Sequence, residues 1–138
     1  MIIKIYLNME QPPALKDVIS VINTLHYDSD PQSKQKASLW LDQLQKSVHA
    51  WKIADELLRE KPNLEVCYFA AQTMRSKIQF SFHELPQESY VSLKDSLMDH
   101  LSQVTPATQN VIVTQVQHPF IIIIVLYKKK CSNESRFL

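Results

Sequence analysis

The chain has 138 residues, a formal net charge of +1 and 21% charged residues, which suits one ordinary domain or part of a longer protein. No basic field points to nucleic acid and no acidic tail points to disorder. Glycine is absent, which disfavours the P-loops, nucleophile elbows and dinucleotide-binding loops that depend on its backbone and favours helices.

The first half of the chain predicts three helices, over 13–27, 31–47 and 48–60, because its apolar residues recur at three- and four-residue spacing. Residues 1–12 are expected to be a non-essential extension, since MIIKIYLN is too short and too weakly charged for a signal peptide. In DSDP, the order of Asp30 and Pro31 predicts a helix N-cap rather than a cation site. The apolar stripes are Leu15, Val18, Ile19, Ile22 and Leu25; then Ala37, Trp40, Leu41, Leu44 and Val48; then Ala50, Ile53, Ala54, Leu57 and Leu58.

The second half predicts a long helix from about Leu64 to Leu85, ended by Pro86, then a helix over 87–104 and a partner helix starting near 107. The long helix has two kinds of surface. Its wide apolar arc comprises Val66, Cys67, Phe69, Ala70, Ala71, Met74, Ile78, Phe80 and Phe82. The opposite side carries a narrow strip at i, i+4, i+7 and i+11 that comprises Tyr68, Gln72, Arg75 and Gln79.

These helices come in pairs whose equivalent positions recur at about 36 to 42 residues, a period typical of HEAT or armadillo-like hairpins. The sequence therefore predicts an all-α superhelix, or solenoid, of about two and a half helical hairpins. A four-helix bundle is the alternative, although it does not explain a helix with contacts on two sides. In a solenoid the narrow strip would face the concave surface, and the matching strip of the preceding inner helix comprises Gln35, Leu39, Asp42 and Lys46.

Two segments, KASLWLDQLQKSVHAWKIADELL and CYFAAQTMRSKIQFSFHELP, resemble the amino-terminal repeats of the importin-β superfamily. The similarity extends from about Ala14 to Gln115, and it is strongest to the transportin-SR (transportin 3-like) branch, with the importin 13 branch further away. The domain expected from these repeats covers residues 13–115. The resemblance implies a nuclear transport receptor rather than an enzyme, with no cofactor, which shuttles between cytoplasm and nucleus.

The resemblance also implies partners. Receptors of this family contact FG nucleoporins and release cargo when the small GTPase Ran, in its GTP form, binds inner helices of the first repeats. Those helices correspond to the two strips above, so Gln35, Leu39, Asp42, Lys46, Tyr68, Gln72, Arg75 and Gln79 are the expected Ran-binding residues. Cargo in this branch includes arginine/serine-rich splicing factors, but their recognition lies largely in further repeats. A scaffold fragment without Ran affinity is the competing hypothesis, and neither direct nucleic-acid nor membrane binding is expected.

The family pattern stops at Gln115, and residues 116–138 are predicted to be an atypical tail outside the family fold, of unspliced or mispredicted origin. Its β-branched run FIIIIVL favours an extended, aggregation-prone segment and is far shorter than the roughly 20 residues of a membrane span. Incomplete cover of Leu93, Leu97 and Leu101 is expected to make the chain marginally stable and prone to associate. The two cysteines predict reduced intracellular thiols, and the histidines show no metal-ligand spacing.

Overall fold

The computed structural model describes residues 11–102 and 124–132, and every regular element within them is helical. The elements are α1 (Leu15–Tyr27), α2 (Pro31–Lys46), α3 (Ala50–Glu60), α4 (Leu64–Phe80), the 3-10 helices Phe82–Glu84 and Gln87–Ser89, α5 (Tyr90–Ser102), and a final helix at 124–132. The all-α prediction is therefore confirmed. The chain divides into two compact units after Ala70, inside α4, and each unit is described in turn. The predicted helix near 107 lies outside the described residues.

In the first unit, α1 packs against α2, and both contact α3. Val18 and Ile22 of α1 are fully buried, as are most of the apolar residues on α3. Asp30 caps α2 as predicted: its carboxylate accepts from the Gln32 N–H at 3.3 Å and from the Ser33 hydroxyl at 2.9 Å. These bonds hold the pKa of Asp30 below its usual value, with the Ser33 bond the larger cause.

Two turns of the first unit show how this glycine-free chain changes direction. Lys61 adopts a left-handed conformation at φ 51° at the end of α3, a position where glycine is usual. The helix α2 ends at Lys46, so Val48 lies in the turn that follows and is 57% exposed. The prediction that Val48 belongs to the buried stripe is wrong because the helix stops before its side chain reaches the core.

In the second unit, the core is built from the later residues of α4, from Phe82, from Leu97 of α5 and from Tyr127. The Phe82 ring lies 4.8 Å from that of Tyr90 and 6.2 Å from that of Tyr127, in an edge-on arrangement with the latter. The Tyr127 hydroxyl donates a hydrogen bond to the Tyr90 carbonyl. This hydrogen bond holds the 124–132 helix against the start of α5.

Three predictions for the second unit are corrected. Pro86 does not end α4, which stops at Phe80 when the chain turns at Ser81 into the Phe82–Glu84 helix. The segment FIIIIVL was predicted to be extended, but its last three residues, from 124 onward, belong to a helix. The helix is favoured because it buries the ring of Tyr127. Residues 120–123 lie outside the described residues. Leu97 is 1% exposed, so its cover is complete, whereas Leu93 is half-buried.

Candidate partner-binding face

The α2 strip, defined as Gln35, Leu39, Asp42 and Lys46, is exposed along its whole length. Leu39 is 61% exposed, although the buried Ala37, Leu41 and Leu44 belong to the same helix. Asp42 and Lys46 form an i, i+4 ion pair of 3.1 Å. Because both side chains are more than half exposed, this pair contributes little stability and leaves both charges accessible to a partner.

The α4 strip, defined as Tyr68, Gln72, Arg75 and Gln79, is also exposed at every position. Tyr68 presents an aromatic ring that is 44% exposed. Arg75 is exposed and takes part in none of the ion pairs within the part of the chain that the structure describes, so its guanidinium can pair with a carboxylate of a partner. The strip combines one aromatic group, two amides and one cation, which are groups enriched in or compatible with protein interfaces.

The opposite side of α4 explains why the strip is narrow. Val66, Ala70, Ala71, Met74 and Ile78 are at most 1% exposed, as predicted for a wide buried arc. Phe69 is half-buried. Phe80 is 71% exposed, so its assignment to the arc is wrong: it follows Ile78 by two residues and lies about 160° around the helix from it.

A buried ion pair near the end of α4 was not predicted from the sequence. The Lys77 side chain is only 2% exposed, and its ammonium group lies 2.8 Å from the carboxylate of Glu84. The position of Lys77 three residues after Met74 and one before Ile78 places it on the buried side. A lysine on the buried side of a helix, followed by an acidic residue just past the helix end, is the sequence pattern that could have identified the pair.

Side-chain links connect α1 to the start of α4 within the first unit. The Asn63 amide donates to the Asn23 side-chain oxygen at 3.0 Å, while the Asn63 oxygen accepts from the Val66 N–H at 2.9 Å. Asn63 therefore caps α4 and holds it to α1 at once. The Tyr27 hydroxyl also donates to Glu65, and this bond raises the pKa of Tyr27 and lowers the pKa of Glu65.

The described residues also include two cysteines. Cys67 and Cys131 form no disulfide, and burial raises the pKa of the Cys67 thiol. Residues 11–102 and 124–132 contain no group of three or more His, Cys, Asp or Glu side chains placed to hold a metal ion. The same residues include no helix with the length and apolar character that crossing a bilayer requires.

Comparison with known proteins places these helices in a family. Residues 37–103 match the family described as the importin-beta N-terminal domain. Transportin MOS14 of Arabidopsis thaliana is 38% identical over 90 residues, which are 64% of this chain and 9% of that protein. The mRNA transport regulator MTR10 of Saccharomyces cerevisiae is 32% identical over 106 residues, 74% of this chain and 10% of that protein. Human importin-13 is 29% identical over 98 residues, 71% of this chain and 10% of that protein.

The match begins inside α2 and covers α3, α4 and α5, so it includes every strip residue except Gln35. The chain spans about a tenth of the length of these relatives. Its described residues have the all-α character of HEAT-type repeats, in agreement with the predicted fold class. This chain belongs to the importin-β family, through an importin-β N-terminal domain at residues 37–103.

Proposed function

We propose that this chain is the N-terminal part of a nuclear import receptor of the transportin-SR branch, and that its α2 and α4 strips bind Ran in the GTP form. The observation that carries the proposal is the exposure of all eight strip residues, seven of which lie within the match to the importin-β N-terminal domain. In this family the N-terminal domain is the part typical of Ran binding. Contacts with FG nucleoporins, shuttling between cytoplasm and nucleus, and recognition of arginine/serine-rich cargo belong to the complete receptor.

The strips offer two kinds of contact. Leu39 and Tyr68 present exposed apolar and aromatic area, which can supply the desolvated centre of an interface. Asp42, Lys46 and Arg75 present charges of both signs that can fix orientation and speed association. Arg75 is the group expected to contribute most, because its planar guanidinium can pair with a carboxylate through two hydrogen bonds.

The test is a binding titration of the full 138-residue chain against Ran loaded with GTP and, separately, with GDP. We expect selective binding of the GTP form. The substitution Arg75→Glu should weaken that binding by about tenfold or more, since it replaces an attraction with a repulsion. Lys16→Glu reverses a charge on the exposed surface of α1, outside both strips, and should leave the affinity within about twofold.

Circular dichroism of both variants would verify that the helices are retained. Equal binding of the two nucleotide forms, or equal loss in Arg75→Glu and Lys16→Glu, would contradict the proposed surface. Absence of binding by every variant, with the helices intact, would support the alternative of a helical scaffold fragment without Ran affinity.

A further inference from the structure

The second unit contains an open groove, separate from both strips, between α5 and the 124–132 helix. Its volume is about 430 Å³, which is within the range of ligand-binding clefts. Leu97 and Met98 line it from α5, and Ile124 and Tyr127 line it from the other helix. The walls are thus mainly apolar.

The apolar surface continues beyond the groove. Met98, which lines the groove, is 49% exposed, and Val125, which follows the lining residue Ile124, is 59% exposed. Val91, at 66% exposure, lies seven residues before Met98 and therefore on the same side of α5. Single exposed apolar residues are ordinary, but a run of them beside an apolar groove marks an interaction site.

The shape of this surface suits a helix. Two neighbouring helices form a groove into which the apolar face of a third, amphipathic helix can be laid, with anchors at i, i+3, i+4 and i+7. A small molecule confined to the groove would leave Val91, seven residues from Met98 along α5, exposed to solvent. A helix laid along α5 is long enough to reach it.

The charged residues around the groove indicate which residues should flank the apolar face of the bound helix. Lys94 and Lys128 are the charged residues among the described groove lining, and both are positive. Asp99 stands two residues from Leu97, so it lies about 160° around α5 from it. Asp95 does not line the groove either, although its charge reaches Tyr127: burial is the main cause that raises the pKa of Tyr127, and the Asp95 carboxylate adds to it. A second copy that paired groove to groove would bring the same lysines together, which disfavours self-association through this surface.

We propose that this groove binds an amphipathic helix of a partner protein, whose apolar stripe is flanked by aspartate or glutamate. Leu97, Met98, Ile124 and Tyr127 take the apolar stripe, and Lys94 and Lys128 pair with the acidic flanks. The proposal does not depend on Ran binding, because the groove shares no residue with the α2 or α4 strip.

The probe is a fluorescein-labelled helical peptide with leucine at i, i+3, i+4 and i+7 and glutamate on both flanks, titrated with the full chain. A matched peptide carries lysine in place of each glutamate. We expect the glutamate peptide to bind on the order of tenfold more tightly at low salt. In the full chain, Lys128→Glu should weaken this binding about tenfold.

Lys129→Glu is the matched control, because this exposed neighbour makes the same charge change on the same helix but does not line the groove. It should change the affinity by about twofold at most. Met98→Gln tests the apolar contact separately and should weaken both peptides.

Equal affinity for the two peptides, or equal effects of Lys128→Glu and Lys129→Glu, would overturn the proposal. Binding of a fluorescent fatty acid without binding of the glutamate peptide would assign the groove to an acyl chain and would also overturn it. So would a dimer in sedimentation equilibrium that dissociates in Met98→Gln, because a second copy would then occupy the surface.

Discussion

Breaking the ion pair between Lys77 and Glu84 should destabilise the protein in an asymmetric way. The ammonium of Lys77 is buried, at 2% side-chain exposure, whereas Glu84 is 24% exposed. Removing the carboxylate by Glu84→Ala leaves a charge that water does not reach. Removing the ammonium by Lys77→Met leaves a carboxylate that water can solvate in part.

The magnitude follows from this difference in burial. Loss of one partner from a fully buried pair costs about 3–5 kcal/mol. Glu84→Ala should therefore lower the free energy of unfolding by about 3 kcal/mol, because the orphaned charge is the buried one. Lys77→Met keeps an unbranched apolar side chain, so its cost should be about 1 kcal/mol. The double variant Lys77→Met/Glu84→Ala should cost clearly less than the sum of the two single effects, since replacing both members of a buried pair by apolar groups leaves no orphaned charge.

Equilibrium urea denaturation followed by far-UV circular dichroism measures all four proteins and yields the coupling energy. A loss of about 3 kcal/mol is a large part of the 5–15 kcal/mol that usually stabilises a domain, so it is readily detected. The reasoning would be refuted if Lys77→Met proved more destabilising than Glu84→Ala, or if the two single effects simply added in the double variant.

Three further predictions concern the first unit. Asn63→Ala removes both the cap of α4 and the link to Asn23 and should cost about 1–2 kcal/mol in the same denaturation assay, whereas Asn23→Ala should cost less because the cap remains. Tyr27→Phe removes the hydrogen bond to Glu65 and should raise the pKa of Glu65 toward its ordinary value, as measured by NMR titration. Because the pKa of Glu65 is lower in the folded than in the unfolded protein, this bond stabilises the fold above the unfolded pKa. That stabilisation is lost as pH falls through the folded pKa. Lys61→Gly should raise the free energy of unfolding by up to about 1 kcal/mol, since glycine adopts the left-handed conformation without a Cβ penalty, and no gain would contradict strain at this turn.

Much of the helical organisation follows from local patterns. The positions of α1 to α3 agree with prediction within two residues at each end, because apolar spacing and the Asp30–Pro31 cap act within one helical turn. The exposure of both strips could also be predicted, because residues at i, i+4, i+7 and i+11 lie on one side of a helix and the apolar residues occupy the other side. Ran contacts at these strips remain a prediction.

The exceptions occur where helices end or where distant residues meet. Val48 and Phe80 have the hydrophobicity of core residues, but both are exposed because no neighbour covers them. Lys77 has the charge of a surface residue, but the turn at Ser81 brings Glu84 to it. The β-branched residues at the start of the 124–132 helix prefer strands, but strand propensities differ by only about 1 kcal/mol. The contact of Tyr127 with Phe82 and its hydrogen bond to Tyr90 outweigh this preference.

The helical class, the main apolar stripes, the cap at Asp30 and the family resemblance can all be predicted from local sequence patterns, since each depends on residues close together along the chain. Three features depend on contacts between distant residues: the end of α4, the burial of Lys77, and the apolar groove between α5 and the 124–132 helix. The physical reason is that periodicity identifies the apolar side of a helix, whereas burial depends on which distant segment arrives to cover it.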